Sequence, residues 1–115
     1  MMITMYGIPN CDTIKKAKKW LDANGVEYHF HDYRKEGIDT ELVSLFCQQF
    51  GWETVVNKRG TTYRQLTDEQ KNTLNAENAL LLLVENPAMI KRPILLTDTA
   101  ALIGFKAADY ETLLK

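Results

Sequence analysis

The segment Ile3-Thr4-Met5-Tyr6-Gly7-Ile8-Pro9-Asn10-Cys11-Asp12-Thr13-Ile14 passes from one backbone regime to another within a dozen positions. Ile3 to Tyr6 is a short run of strand-favouring residues, and Gly7-Ile8-Pro9-Asn10 is a run of turn formers. From Thr13 onward Ile14, Ala17, Trp20 and Leu21 recur on one helical face, lysines cover the other, and Asn24-Gly25 supplies a C-terminal stop. The expected product is a strand that turns through a loop into a helix, with Cys11 where the helix begins.

Working outward, Val26 to Tyr33 alternates, with Val26, Tyr28 and Phe30 on one side and Glu27, His29 and His31 on the other, as a half-buried strand does. The result is a β-α-β unit, which implies parallel strands and a right-handed crossover. Asp39 is suited to cap a second helix carrying Leu42, Val43, Leu45, Phe46 and Phe50 and ending at Gly51, and Thr67 with Gln70 reads as a capping box for a third. Asn75 to Glu85 is a further helix stopped by Asn86-Pro87. Ile94 to Thr97 and Ala100 to Phe105 then read as a hairpin about Asp98, and Ala107 to Leu114 as a closing helix packing through Ala108, Leu113 and Leu114. The order β-α-β, helical middle, β-β-α is an α/β plan: a small mixed sheet flanked by helices, as in a thioredoxin-like fold.

No repeat, low-complexity tract or linker divides the 115 residues, so one domain spanning 1–115 is expected, with a helical insertion at about 39–86. Fourteen Lys and Arg against fifteen Asp and Glu leave a net charge of −1, which supplies no global field for nucleic acid or an anionic membrane. The start of the chain lacks the basic and apolar regions of a secretory signal, and the strongest apolar run, Ala79 to Val84, is too short to span a bilayer. A cytoplasmic protein with reduced thiols is the expectation, since a lone pair of cysteines rarely staples a chain so rich in core residues.

Cys11 is the sharpest chemical feature. A thiol at a helix N-terminus meets unpaired N–H groups and the positive end of the helix dipole, both of which favour thiolate. An ordinary thiol of pKa ~8.5 is only ~3% ionised at pH 7, whereas one at ~6.5 is roughly three-quarters ionised, a difference of about 2.7 kcal/mol. A helix terminus contributes ~0.3–1 kcal/mol, up to ~2 when partly buried, so a nearby cation is required as well. The competing reading of Cys11 is a small buried hydrophobe. Ile14 occupies the place of the second cysteine of a C-x-x-C motif, so a local dithiol is ruled out and turnover would draw on an external thiol or on Cys47. Cys47, beside Val43 and Phe50 on the second helix, reads as core packing.

Lys15, Lys16, Lys18 and Lys19 form a basic face that is ordinarily just solvated. His29 and His31 share a strand face but have no third ligand at metal-binding spacing, so no metal is expected. Tyr28, Phe30, Trp20 and Trp52 read as packing, and no phosphate loop, dinucleotide glycine pattern or serine elbow is present.

Three pieces in order, Tyr6-Gly7-Ile8-Pro9-Asn10-Cys11, Asn57-Lys58-Arg59-Gly60 and Lys91-Arg92-Pro93-Ile94, resemble the arsenate reductase (ArsC) and Spx family, above all its YffB-type members. The resemblance covers nearly the whole chain. It implies a thioredoxin-like fold with a helical insertion, Cys11 as nucleophile, Arg59 and Arg92 as cationic partners, and Pro93 as a cis-proline beside the thiol. A cation ~4 Å from the sulfur, at an effective dielectric of ~20, is worth about 4 kcal/mol before desolvation, enough to outweigh Asp12. Two departures weigh against arsenate as substrate. Lys106 stands where the family's reductases carry a third arginine, and lysine lacks the bidentate fork. Asp12 places a carboxylate beside the anion pocket.

The function this implies is a glutathione-dependent thiol reductase, with glutathione as co-substrate and no bound cofactor. Cys11 is the nucleophile, and Asn10, Thr13, Lys15, Arg59, Arg92, Pro93 and Lys106 are the candidate contacts to glutathione or substrate. The partners are then glutathione, another small thiol or a protein disulfide, met by a monomer that engages neither nucleic acid nor membrane. The alternatives are a non-catalytic Spx-like regulator that binds a protein partner, and an arsenate reductase.

Overall fold

In a computed structural model describing residues 2–114, the chain forms β1 (Thr4–Gly7), α1 (Asp12–Ala23), β2 (His29–Asp32), α2 (Tyr33–Glu36), α3 (Thr40–Phe50), α4 (Trp52–Val55), α5 (Thr61–Arg64), α6 (Asp68–Asn72), α7 (Ala76–Glu85), a 3-10 turn (Pro87–Met89), β3 (Ile94–Leu96), β4 (Ala101–Ile103) and α8 (Ala107–Leu114). These residues fall into two compact units, one of residues 2–37 with 92–114 and one of Ile38–Lys91.

The first unit is built on a four-stranded mixed sheet of order β2-β1-β3-β4. The β1–β2 pair is parallel, with Met5 opposite Phe30, and both β1–β3 and β3–β4 are antiparallel, with Leu95 opposite Met5 and Leu102. The two-residue period of a strand puts Met5, Phe30, Leu95 and Leu102 on one face. Against this face pack Ile14, Ala17 and Leu21 of α1 and Tyr110 of α8. The stripe read from the sequence is therefore the buried stripe, and α1 ends where expected: Asn24 Nδ2 donates to the Trp20 carbonyl at 2.8 Å, and Gly25 takes φ 66°, which glycine adopts without a Cβ clash.

Two expectations need correction here. The second strand was expected over Val26 to Tyr33, and the predicted alternation is present, since Val26, Tyr28 and Phe30 pack on the core while Glu27 and His29 are exposed. Only His29–Asp32 pairs, however, because β1 offers four residues and ends at Gly7, opposite Asp32. The buried Asp32 carboxylate then accepts from the Arg34 N–H at 2.9 Å and turns the chain into α2. In α8, Ala108 is exposed, and Tyr110, with no exposed surface, is the anchor; its ring meets Trp20 at 5.6 Å and Phe105 at 4.9 Å, both edge-on. Leu113 and Leu114 lie three and four positions beyond Tyr110 and share its face, whereas Ala108, two positions back, cannot.

In the second unit Asp39 caps α3 by accepting from the Leu42 N–H at 2.9 Å, and Asn75 caps α7 by accepting from Asn78 at the same distance. The Thr67–Gln70 capping box is formed in both directions, but α6 extends for only five residues. Asn86-Pro87 ends α7 and opens the 3-10 turn, where proline's missing N–H costs nothing. Val43, Phe46, Val55, Val56, Leu83 and Ile90 are buried in this unit, and Val56 bridges Ile90. Among the described residues no helix is long and apolar enough to cross a membrane.

Candidate active site

The site lies where β1 gives way to α1. Gly7 closes the strand with no room for a side chain: a Cβ there would collide with Cδ1 of the fully buried Ile14 and come within 3.8 Å of Arg92 Cβ. This close approach brings the start of α1 and the segment entering β3 to the same end of the sheet. Cys11 then takes extended dihedrals (φ −135°, ψ 125°) as the N-cap of α1, and its carbonyl accepts from the Lys15 N–H at 3.0 Å.

The N-cap is the place where a serine or aspartate oxygen ordinarily accepts from the second or third helical N–H. Here the acceptor is sulfur. The neutral thiol makes no capping hydrogen bond, and the groups that act on its ionised form are the N–H of Ile14, the guanidinium of Arg92 and the N–H of Thr13. Partial burial by itself pushes the Cys11 thiol up. The Ile14 N–H, the Arg92 hydrogen bond and positive charge, and the Thr13 N–H together overcome that penalty and hold it below the ordinary thiol value. Cys47 shows the opposite case, because burial raises its thiol.

Arg92 is half-buried and is joined to a buried Pro93 by a cis peptide bond, and the Pro93 carbonyl accepts from the Gly104 N–H at 2.8 Å, which ties the segment to the end of β4. Behind it stands Tyr33, 4% exposed, whose hydroxyl is driven far up by burial, further by Tyr6, and drawn back by Arg92. Tyr33 and Gly7 were not singled out in the sequence. A glycine before Ile-Pro reads as a turn former, and only the packed Ile14 shows that it is needed for close approach.

Of the other candidate residues, Asn10 is exposed just before the thiol, Thr13 contributes its backbone, and Lys15 and Lys106 are exposed and are not among the groups that shift Cys11. Asp12 is exposed at the first helical position. Arg59 belongs to the Ile38–Lys91 unit, exposed in a turn where its N–H donates to Asn57 Oδ1 at 3.2 Å and Gly60 N–H donates to the Asn57 carbonyl at 3.2 Å. The two histidines are engaged locally: His29 bonds Glu36 at 3.0 Å, and His31 Nε2 donates to the Gly37 carbonyl at 2.8 Å. Among the described residues no three His, Cys, Asp or Glu side chains are grouped to hold a metal ion.

A cysteine at a helix N-cap, an arginine acting on it and a cis-proline next to that arginine, set on this mixed sheet, define a thioredoxin-like protein. The chain belongs to the ArsC family, whose sequence model matches residues 6–113. An uncharacterized protein of Haemophilus influenzae is 52% identical over 110 residues, 96% of each chain. The solved structure of a YffB protein superposes with a TM-score of 0.94 at 45% identity, over 99% of this chain and 100% of that one. The global transcriptional regulator Spx of Lactiplantibacillus plantarum is 24% identical over 106 residues, covering 90% of this chain and 80% of Spx.

Proposed function

We propose that the protein is a glutathione-dependent thiol reductase with Cys11 as its only nucleophile. The observation that carries this reading is the N-cap sulfur on which the Ile14 N–H and the Arg92 guanidinium act together, because a nucleophilic thiol must be ionised near neutral pH and within reach of solvent. In the proposed cycle the Cys11 thiolate attacks the glutathione sulfur of a mixed disulfide. A Cys11–glutathione disulfide forms, and the substrate sulfur leaves as thiolate and takes a proton from water. The thiolate of a second glutathione then attacks the glutathione sulfur of that disulfide. Oxidised glutathione departs, and Cys11 returns as thiolate. Ile14, buried at the C-x-x-C position, leaves no local thiol to resolve the intermediate, which is why the second thiol comes from outside.

In this cycle Arg92 stabilises Cys11 as attacking and leaving group, and Pro93 shapes the surface beside the sulfur. Asn10, Thr13, Lys15, Arg59 and Lys106 are the proposed contacts to glutathione, whose two carboxylates suit cationic side chains. Arsenate is less well served, since Lys106 presents a point charge in place of a planar fork. The Spx relatives favour a second reading, a regulator that binds a protein partner without turnover.

The test is the pH profile of Cys11 alkylation in a Cys47→Ser background, for the parent, Arg92→Ala and Arg59→Ala, followed by turnover with a glutathione mixed disulfide and with arsenate plus glutathione. The expected result is a midpoint below that of a cysteine peptide, raised by Arg92→Ala, with turnover on the mixed disulfide that is lost in Cys11→Ser. A midpoint at the peptide value that ignores Arg92, with no turnover on either substrate, overturns the enzyme reading in favour of the regulator.

A further inference from the structure

The Ile38–Lys91 unit carries a feature that thiol chemistry does not use. Two adjoining depressions of about 760 Å³ and 480 Å³ run between α3 and α7, sharing Ser44, Gln48 and Leu80. Leu42, Leu45 and Leu80 line the first, and Cys47, Trp52, Ala76 and Leu80 line the second. Leu45 is 39% exposed, so its side chain is available to a ligand in the groove. The charged residues lining both depressions are Asp39, Glu41 and Glu77, with no lysine or arginine.

We propose that this groove docks a short amphipathic helix that carries lysines or arginines on either side of an apolar stripe. Charge complementarity selects that occupant. Asp39 is already engaged as the α3 cap, but among the described residues Glu41 and Glu77 enter no ion pair. An anionic segment is repelled by these carboxylates, and an uncharged apolar one leaves them desolvated without partners, which is costly. Basic flanks neutralise them while leucine-like side chains cover Leu42, Leu45 and Leu80, the helix-in-groove mode of recognition. Eleven residues of α3 span roughly 16 Å, enough for about three turns of a bound helix. With a net charge of −1 the whole chain exerts little pull on cations, so the selectivity is local to the groove.

The experiment titrates the full chain into a fluorescein-labelled peptide of about 14 residues, four helical turns, made of leucine and lysine with the leucines on one face. Saturable binding is expected, together with a Trp52 emission shift that disappears in Trp52→Phe. Replacing Glu41 and Glu77 together by lysine should weaken binding by at least about tenfold and create binding of the leucine–glutamate counterpart peptide. Glu41→Gln with Glu77→Gln serves if the reversed pair does not fold, and an unchanged far-ultraviolet circular dichroism spectrum with a cooperative thermal melt reports that the chain is intact. The proposal is overturned if neither pair alters binding, if a scrambled peptide of the same composition binds equally, or if no peptide binds. It is overturned equally if sedimentation shows a self-associated chain that Leu45→Glu dissociates, which assigns the groove to a second copy.

Discussion

At Cys11 a sulfur fills a position that an oxygen usually takes, and the consequence is a coupling between ionisation and folding. The thiol lies below its ordinary value in the folded chain because the Ile14 N–H and Arg92 outweigh the effect of burial. An unfolded chain has no such partners. Below the folded value both states hold the proton and the thiol adds nothing to stability. As pH rises from the folded value to the unfolded one, ~8.5, the unfolded state binds more protons, so stability gains grow across that window and are complete above it. Urea unfolding of a Cys47→Ser chain should therefore show stability relative to Cys11→Ser rising with pH up to about 8.5, and Arg92→Ala should flatten that rise. A difference that falls with pH contradicts the assignment. At Gly7 the argument is steric: Gly7→Ala forces its methyl against Cδ1 of Ile14, and because Ile14 is fully buried that end of the side chain can yield only by repacking the core around it, for a cost of about 1–3 kcal/mol. Thermal melting measures that loss. Because Ile14 also supplies an N–H to the sulfur, Cys11 alkylation near neutral pH should slow in the same variant.

Among the elements, those with a local chemical signature were legible in the sequence. The Asp39 cap and the Thr67–Gln70 box form as read, and the hairpin forms with shorter strands than its apolar runs suggested, because a cap or a turn is decided by a few neighbouring residues; Asn75, read as the first residue of a helix, is instead its cap. The four-residue helices α2, α4 and α5 were not legible: one turn shows no 3.6-residue period, and tertiary packing rather than propensity holds it. The place of Cys11 at a helix start could be read, but the group that acts on the sulfur from a distant segment needed the sheet order β1-β3 to bring Arg92 to it. In α8 the sequence pointed to alanine and leucine, while the structure puts its weight on Tyr110. That hydroxyl is buried with no hydrogen-bond partner among the described residues, so removing it and removing the ring have opposite expected results. Tyr110→Phe should leave stability unchanged or raise it, since an orphaned buried hydroxyl is a cost. Tyr110→Ala, which empties the space between Trp20 and Phe105, should lose about 3–5 kcal/mol in denaturant unfolding.

For the whole molecule the decisive quantity is the near balance of charge. A net charge of −1 means that no long-range field draws an anion to this protein, so any attraction felt by an anionic reagent at Cys11 must arise from nearby groups, with Arg92 and the first turn of α1 foremost because they act on the sulfur itself. Comparison of negatively charged iodoacetate with neutral iodoacetamide isolates this local contribution, because both react with the same thiolate. In a Cys47→Ser chain the ratio of the iodoacetate to the iodoacetamide rate should exceed that of a short cysteine peptide. Arg92→Ala should return it to the peptide value while slowing both reagents near neutral pH. Added salt should lower the excess only partly, since at 0.15 M the screening length is about 8 Å and a half-buried cation acting directly on the sulfur lies well inside it. A ratio below the peptide value would mean that the exposed Asp12 carboxylate, one residue from the sulfur, dominates the approach of anions. That outcome would leave a nucleophilic thiol suited to neutral disulfides and closed to arsenate.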